Sequence, residues 1–316
     1  MTCLRVVDPG QYATVQDLGR PGRAGEGVPV GGAADTLSLR VANRLVGNPD
    51  GAAGVEMTLV GGAFEVDAPV TFALAGAPGF ATIQSRMGPR GVMPWTVERL
   101  LPGEVLRLRG LHEYARAYLA VAGGVDVPAV LGGRGALPGA GLEGVLGRTL
   151  RVGDMLPVGR PTGGPTDYLD HERVTRIAGR IFSDSLAATI GPHEVEGADV
   201  LFQREFTVSR YFNRAGIRLD GPAPRGQGLA QSEGVMHGGV EVTPNGTAII
   251  LGPDAPVTGG YPLAACVIQA SLPALGQRRA GSRVRFERVT VDEAWRRLRQ
   301  GEDELDAMIP RVAEAP

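Results

Sequence analysis

The chain has 316 residues and is close to neutral, with 32 basic residues, 34 acidic residues and a formal net charge of −2. This balance gives no electrostatic basis for binding nucleic acid or an anionic membrane, so neither kind of partner is expected. No lysine occurs in the sequence. The chain itself can therefore neither form a Schiff base nor carry covalent biotin, and a phosphate loop of the Walker type would lack its lysine.

Short alternating runs bounded by glycine or proline predict strands along the whole chain. Glycine and proline number 48 and 24, about twice their ordinary combined share, which also favours many turns and short strands. The fold class is therefore mainly β, at a strand spacing typical of barrels and sandwiches. In chain order the predicted strands are Leu4–Val7, Val70–Ala75, Ala81–Ser85, Val105–Leu108, Ala115–Ala122, Ile217–Leu219, Ala248–Leu251, Ala264–Gln269 and Val284–Phe286.

Three short helices are predicted between these strands. The first runs from about Thr36 to Val46, because the Asp35 carboxylate can accept hydrogen bonds from the first-turn amides. The second covers Glu194–Gln203. The third, Val291–Leu298, has acidic residues in its first turn and arginines in its last, which suits the helix dipole. The acidic tail Gly301–Pro316 is predicted to be loose.

The length predicts two domains, at about 100–200 residues per domain. The stretch 159–167, GRPTGGPTD, is polar, rich in glycine and proline, and near the midpoint. We place the boundary there, between an N-terminal β-rich domain of residues 1–160 and a C-terminal domain of residues 161–316.

The usual signatures of metal and cofactor sites do not occur. No two of the four histidines lie within five residues of each other, and C-x-x-C, H-E-x-x-H and calcium-loop patterns are missing, so no metal is expected. The N-terminus lacks a signal-peptide pattern, and no apolar run approaches the roughly 20 residues needed to span a bilayer. A cytoplasmic protein is expected, with Cys3 and Cys266 as reduced thiols.

Residues 12–35 carry ionisable side chains among several glycines. Glycines let a backbone approach a ligand closely, and consecutive free amides can cradle an anion. Asp17 is a candidate catalytic carboxylate. Arg20 could clamp a substrate carboxylate or phosphate bidentately, and Asp35 is a further candidate substrate-binding residue. The alternative is an Asp17–Arg20 pair that pins a turn.

Two later segments offer acid–base groups. In Ser232–Gly239, Glu233 and His237 could share a proton at neutral pH, so Glu233 is a candidate catalytic residue. In Val257–Pro262, Tyr261 offers a hydroxyl on a rigid ring and is the third catalytic candidate. The same stretch contributes the candidate substrate-binding residues Thr258, Gly259 and Gly260. The alternative for it is a hairpin turn with a packed tyrosine.

Two arginines in residues 210–221 complete the candidates. Arg214 and Arg218 could clamp a substrate anion. Gly216 disfavours a helix between them, and in a strand it shares a face with Arg218. The alternative is that both arginines are solvated.

Six stretches that follow one another along the chain resemble a known family. They are TVQDLGRPG (Thr14–Gly22), GVPVGGAAD (Gly27–Asp35), ANRLVGNPDGAAGVEMTLVGG (Ala42–Gly62), RAYLAVAGGVDVPAVLG (Arg116–Gly132), SEGV (Ser232–Val235) and TGGYP (Thr258–Pro262). Over about Cys3–Phe286 the chain is similar to the KipI antagonist family. This family is also called the biotin-dependent carboxyltransferase family, allophanate hydrolase subunit 2 or the C-type subunit of 5-oxoprolinase.

The resemblance implies two cyclophilin-like β-barrel subdomains with a few short helices. It also implies a KipI-like B-type subunit as partner and a third 5-oxoprolinase subunit, in a hetero-oligomer where ATP drives the ring opening of 5-oxoproline. ATP, shared with the partner subunit, is thus the expected cofactor, and a small carboxylate or amide is the expected substrate. Related domains of urea amidolyase move a carboxyl group from carboxybiotin to urea.

Several polar positions differ from the family's usual pattern. Asn213 replaces an aspartate, and Glu241 replaces a glutamine. Ala255 and Pro256 replace an arginine and a glutamine shortly before the glycine pair. The frame of the family is therefore present, while several of its polar side chains are not.

Three functions follow as hypotheses. We favour the C-type subunit of an ATP-dependent amidohydrolase complex that opens 5-oxoproline or a similar cyclic amide. The second hypothesis is a carboxyltransferase component that uses biotin on a separate carrier. The third is a regulatory partner that binds a KipI-like kinase inhibitor, which the lost polar residues would allow.

Overall fold

The computed structural model describes residues 2–166 and 169–312. The chain divides by its internal contacts into two compact units. The first unit comprises Met1–Gly19, Gly31–Ala178 and Leu305–Pro316, and the second comprises Arg20–Val30 and Gly179–Glu304. The predicted boundary is a single cut after residue 160, whereas these units are built from five alternating pieces of chain. Asp167, the last residue of the predicted boundary loop, lies outside the described residues.

The described part of the first unit contains two antiparallel sheets that share one apolar core. One sheet has the order β11-β1-β4-β9-β6-β7 and the other the order β2-β3-β10-β5-β8. The strands are β1 Cys3–Asp8, β2 Tyr12–Gln16, β3 Gly54–Thr58, β4 Ala63–Val66, β5 Val70–Gly76, β6 Gly79–Ser85, β7 Gly88–Val92, β8 Val97–Leu100, β9 Val105–Leu111, β10 Arg116–Val121 and β11 Met155–Pro157.

Alternation along the strands builds this core. On β1 the side chains of Leu4 and Val6 are buried while Arg5 between them is exposed, because successive strand residues point to opposite faces. Strand β10 lies centrally in its sheet, between β3 and β5, and all six of its residues are buried. A central strand covered on both faces is expected to be apolar throughout, as Arg116–Val121 largely is.

The second unit contains a closed barrel with the strand order β12-β19-β16-β17-β14-β13-β20, and a separate two-stranded ribbon, β15-β18. Strands β12 and β20 pair in parallel and close the barrel. The strands are β12 Ser185–Ile190, β13 Glu205–Phe212, β14 Gly216–Asp220, β15 Glu233–Gly234, β16 Gly239–Val242, β17 Ala248–Leu251, β18 Thr258–Gly259, β19 Leu263–Val267 and β20 Arg283–Arg288. The prediction of a mainly β fold is confirmed.

The described residues contain five α-helices and three 3-10 helices. None of them is both long and apolar enough to cross a membrane. The α-helices are α1 Thr36–Leu45, α2 His171–Ile181, α3 Val200–Gln203, α4 Leu272–Gly276 and α5 Val291–Met308, and the 3-10 helices are Ala24–Glu26, Gly144–Leu146 and Gln269–Ser271.

Helix prediction succeeded at α1 and failed in part elsewhere. The predicted helix Glu194–Gln203 is wrong over its first six residues, because Gly197 has φ +74° inside a turn and only α3 is helical. The tail was predicted to be loose from Gly301, but α5 continues to Met308. Leu305 in this last part is fully buried, so apolar burial stabilises the extra turns. The last four residues of the predicted tail, 313–316, lie outside the described part of the chain.

Candidate functional site

The ribbon β15-β18 brings together two of the segments singled out in the sequence. Glu233 pairs with Gly259, and Gly234 pairs with Thr258. The next residue of the chain extends the ribbon, since the amide of Val235 donates to the Val257 carbonyl at 3.0 Å. Residues about 25 positions apart in the chain are therefore neighbours, and the predicted catalytic carboxylate Glu233 adjoins the predicted binding residues Thr258 and Gly259.

The imidazole that faces Glu233 belongs to His193. Its Nε2 lies 3.2 Å from Glu233 Oε2. The other ring nitrogen, Nδ1, accepts a hydrogen bond from the amide of Leu263 at 3.0 Å. Because an acceptor nitrogen carries no hydrogen, the neutral ring holds its proton on Nε2 and donates it to Glu233. His193 thereby orients the Glu233 carboxylate, in the place where the sequence predicts His237 as the partner of Glu233.

A second carboxyl group, that of Glu241, lies beneath the ribbon. On β16 the flanking Val240 and Val242 belong to the barrel core, and Glu241 faces the opposite side at 8% exposure. A Cβ atom at Gly259 would collide with Glu241 Oε1, the movable end of that side chain, so a larger residue at this position would displace the Glu241 carboxyl. Burial raises the pKa of Glu241 above its ordinary value, and no hydrogen bond or ion pair to it occurs among the described residues.

We expect Glu241→Gln to increase stability at neutral and alkaline pH. The pKa of Glu241 is raised in the folded state above its ordinary 4.5. A carboxyl with a raised pKa contributes its full stability below the unfolded-state value, and that stability is lost as the pH rises through the folded-state value. Glutamine does not ionise. Urea unfolding of both proteins across pH 4–8 should therefore show a difference that opens as the pH rises, and a difference independent of pH would contradict a buried, unpaired carboxylate.

A cavity of about 500 Å³ opens beside His193. Its lining includes Glu194, Glu196, the loop 225–230 and Pro262. This loop is joined to the glycine pair, because the Leu229 amide donates to the Gly260 carbonyl at 2.9 Å. The volume is in the range of small-molecule sites. His193, which orients Glu233, is thus also part of a cavity wall.

Arg214 supports the segment that leads into the ribbon. Its guanidinium makes a bidentate pair with Asp254, at 2.7 and 2.8 Å. Only 5% of Arg214 is exposed, so this pair is shielded from solvent. It holds the chain in place at Asp254, four residues before Thr258. The alternative of a solvated arginine is wrong for Arg214, and its predicted contact with substrate stays a prediction.

Arg218 and Tyr261 lie on exposed surfaces of the second unit. Arg218 lines a different cavity, together with Tyr211 and Asn213, so it does not share the cavity beside His193. Asn213 Oδ1 accepts from the amides of Ala215 and Gly216 at 2.8 and 3.0 Å, which gives it a turn-forming role. Tyr261 is 39% exposed and is therefore not the packed tyrosine of the alternative interpretation.

The three remaining candidates have structural contacts of their own. Asp17, in the first unit, accepts hydrogen bonds from the amides of Gly19 and Arg134. Asp35 caps α1. Arg20, in the second unit, is only 1% exposed, and its amide donates to the Val30 carbonyl at 2.7 Å. Roles of these three residues toward a substrate stay predictions.

Asp35→Ala should test whether this carboxylate is needed mainly for folding. Its Oδ1 accepts from the Ser38 amide at 2.9 Å and its Oδ2 from the Ser38 hydroxyl at 2.5 Å. Loss of an N-cap costs about 1 kcal/mol, with a range of about 0.5–2 kcal/mol. We expect a loss of that size in the free energy of unfolding by urea, and a full rescue by Asp35→Ser. No change in stability would contradict the capping role.

Sequence reasoning missed His193 and treated Glu241 only as a departure from a family pattern. His193 gave no local signal, because Glu233 is 40 residues away. Glu241 gave a local signal, because a carboxylate between two valines on an apolar strand is a polar residue at a buried position. No group of three or more histidine, cysteine or carboxylate side chains that could hold a metal ion occurs among the described residues.

Comparisons with known proteins agree on one family. Residues 26–288 match the family described as carboxyltransferase domain, subdomain A and B. The chain is 36% identical over 299 residues to the C-type subunit of Escherichia coli 5-oxoprolinase, covering 92% of this chain and 93% of that protein. It is also similar to the solved structure of Kluyveromyces lactis urea amidolyase, at 25% identity and a TM-score of 0.88, over 99% of this chain but 20% of that one. The crystal structure of TTHA0988 is 30% identical at a TM-score of 0.78, over 91% of this chain and 56% of the other.

Proposed function

Because the chain belongs to this carboxyltransferase-domain family, we propose that it is the C-type subunit of a 5-oxoprolinase-like complex, an ATP-dependent amidohydrolase that opens 5-oxoproline or a similar cyclic amide. The strongest support is the near full-length likeness to the C-type subunit of 5-oxoprolinase, over 92% of one chain and 93% of the other. The partners would be a KipI-like B-type subunit and a third subunit, and the complex would work in the cytoplasm.

The geometry beside the ribbon supports a proton-transfer role for Glu233 in this reaction. Opening a cyclic amide by water forms a C–O bond, breaks the C–N bond and moves one proton from the water to the nitrogen. The Glu233 carboxylate is half-exposed and held by the His193 Nε2 proton, so it is oriented and can accept the proton from water. Thr258 and the glycine pair lie next to it and would contact the substrate.

The charges that line the cavity beside His193 do not fit a nucleoside triphosphate. Glu194 and Glu196 line it against a single cation, Arg225, and carboxylates repel phosphate groups. No step of the reaction is therefore derived through ATP at this cavity. We place nucleotide binding elsewhere in the complex, with a contribution from the partner subunit.

The test is a steady-state assay of the co-purified complex. We expect ATP hydrolysis by the chain with its KipI-like partner and the third subunit to rise on addition of 5-oxoproline, with glutamate as the product. The single chain and the complex lacking this chain serve as controls. A complex that assembles but shows no substrate-dependent turnover would reject 5-oxoproline as the substrate.

A carboxyltransferase role is the second candidate. The structure of K. lactis urea amidolyase superposes on 99% of this chain, which supports a fold suited to either reaction. Biotin would have to be carried by another protein, because this chain has no lysine. Recovery of a biotinylated carrier with this chain by streptavidin capture, together with transfer of labelled carboxylate to urea, would favour this role over the first.

A further inference from the structure

The first unit contains a cleft that is lined by none of the candidate catalytic or substrate-binding residues. It has a volume of about 480 Å³ and is formed by three loops that are distant in sequence. One follows α1 and includes Asn48–Ala53, the second follows β10 and includes Gly123–Asp126, and the third is residues 159–162. Arg134 completes the lining. The volume suits a small molecule.

Buried amide side chains fix two of these loops in place. Asn48 is fully buried; its Nδ2 donates to the Val121 carbonyl at 2.7 Å and its Oδ1 accepts from the Gly123 amide at 2.7 Å. Asn43 Nδ2 donates to the Ala52 carbonyl at 2.7 Å. Hydrogen bonds of this kind, satisfied on both sides and shielded from water, hold a loop rigidly. The cleft is therefore formed before any ligand binds.

Glycines join the second and third loops without side chains between them. A Cβ atom at Gly123 would collide with the Gly159 carbonyl, and a Cβ at Gly159 would collide with the Gly123 carbonyl. The Gly159 amide donates to the Gly124 carbonyl at 3.0 Å. Gly123 and Gly124 have φ +93° and +69°, values that favour glycine. The two loops therefore meet backbone to backbone at this junction, with no side chain between them.

The cleft has an excess of positive charge. Arg134 is oriented by two contacts, from its Nε to the Val127 carbonyl at 2.8 Å and from its Nη2 to Asp126 Oδ1 at 3.0 Å. Asp126, the acidic residue of the lining, is thereby neutralised. Arg160 is exposed, and no ion pair or hydrogen bond of its guanidinium occurs within residues 2–166 and 169–312. The lining therefore contains one oriented arginine, Arg134, and one arginine, Arg160, that has no such contact among the described residues.

The geometry points to an oxyanion-binding site in this cleft, which takes the carboxylate or phosphate group of a small molecule through Arg160 and Arg134. A guanidinium presents two parallel N–H groups that match two oxygens of either anion. Gly123, Gly124 and Gly159 also line the cleft, and without side chains they leave room for a ligand beside the main chain. This proposal does not rest on the proposed reaction at Glu233.

The experiment titrates the full-length chain with three probes: inorganic phosphate and ADP followed by ³¹P NMR, and 5-oxoproline followed by saturation-transfer NMR. Arg160→Gln removes the unpaired cation and should weaken binding of the accepted probe about 10- to 100-fold, since one charged hydrogen bond contributes about 1.5–3 kcal/mol. Arg109→Gln is the matched control, because Arg109 is an exposed arginine of the same unit on β9 and does not line the cleft.

A second variant, which fills the cleft with a side chain, tests the site independently of charge. Gly51 lies in the cleft wall, and a Cβ there would meet only Leu18 Cδ1, at 4.0 Å. Gly51→Leu should therefore fold normally, as thermal melting would verify, and should also weaken binding. Saturable binding of any probe that is lost in both variants and kept in Arg109→Gln supports the site, and the probe identifies the source of the anion. Absence of saturable binding by all three probes, or equal binding by Arg160→Gln, overturns the proposal.

Discussion

Glu233→Gln is expected to lower kcat of the assembled 5-oxoprolinase-like complex by about 10²–10⁴-fold, the usual contribution of a positioned acid–base group. Glutamine keeps the size and can still accept a hydrogen bond from His193 Nε2, 3.2 Å away in the native structure. It cannot accept a proton from water. KM for 5-oxoproline should therefore change much less than kcat. The measurement is substrate-dependent release of glutamate under saturating ATP.

The matched control for this variant is Glu143→Gln. Glu143 is an exposed glutamate in the other unit, so the same chemical change there should leave kcat unaltered. Both variants should unfold at the same urea concentration as the native protein, because the Glu233 side chain is 58% exposed and Glu143 is exposed as well, and ion pairs of exposed groups contribute little to stability. Near-native kcat in Glu233→Gln would remove this residue from the mechanism while leaving the family membership intact.

Arg44→Met is expected to cost about 3–5 kcal/mol in the free energy of unfolding, the range for breaking a buried ion pair from one side. The guanidinium is fully buried and pairs with Asp50 at 2.6 and 2.8 Å. It also contacts Asp306 at 2.9 Å and donates to the Ile309 carbonyl at 2.6 Å. Methionine would leave the Asp50 carboxylate with one fewer cation and the carbonyl without its donor.

The control is Arg311→Met. Arg311 pairs with the same Asp306 but is 55% exposed, and an exposed pair contributes only about 0–1 kcal/mol. Urea unfolding monitored by far-UV circular dichroism measures both. Equal losses in the two variants would show that burial of the Arg44 guanidinium adds nothing, contrary to the contacts seen.

Local chemistry explains the parts of the fold that could be predicted from the sequence. Strands such as Val70–Gly76 and Val105–Leu111 were found within a few residues of their predicted bounds, because alternation and bounding glycines act over neighbouring residues. The cap at Asp35 and the helix after it were found for the same reason. Helix α2 was missed, although Ile177 and Ile181 form a buried stripe on it.

The sequence by itself determined a mainly β chain, the family and the segments that carry its polar groups. Only the tertiary structure decided which of those groups meet. His193 orients Glu233 across 40 residues, and Arg214 is occupied by Asp254 across another 40. Strand pairing brings distant residues together, and hydrogen-bond partners are then set by register and burial, which no local pattern encodes. Tertiary burial likewise decided the end of α5, which continues to Met308 and buries Leu305, because apolar packing stabilises helical turns that local sequence does not predict.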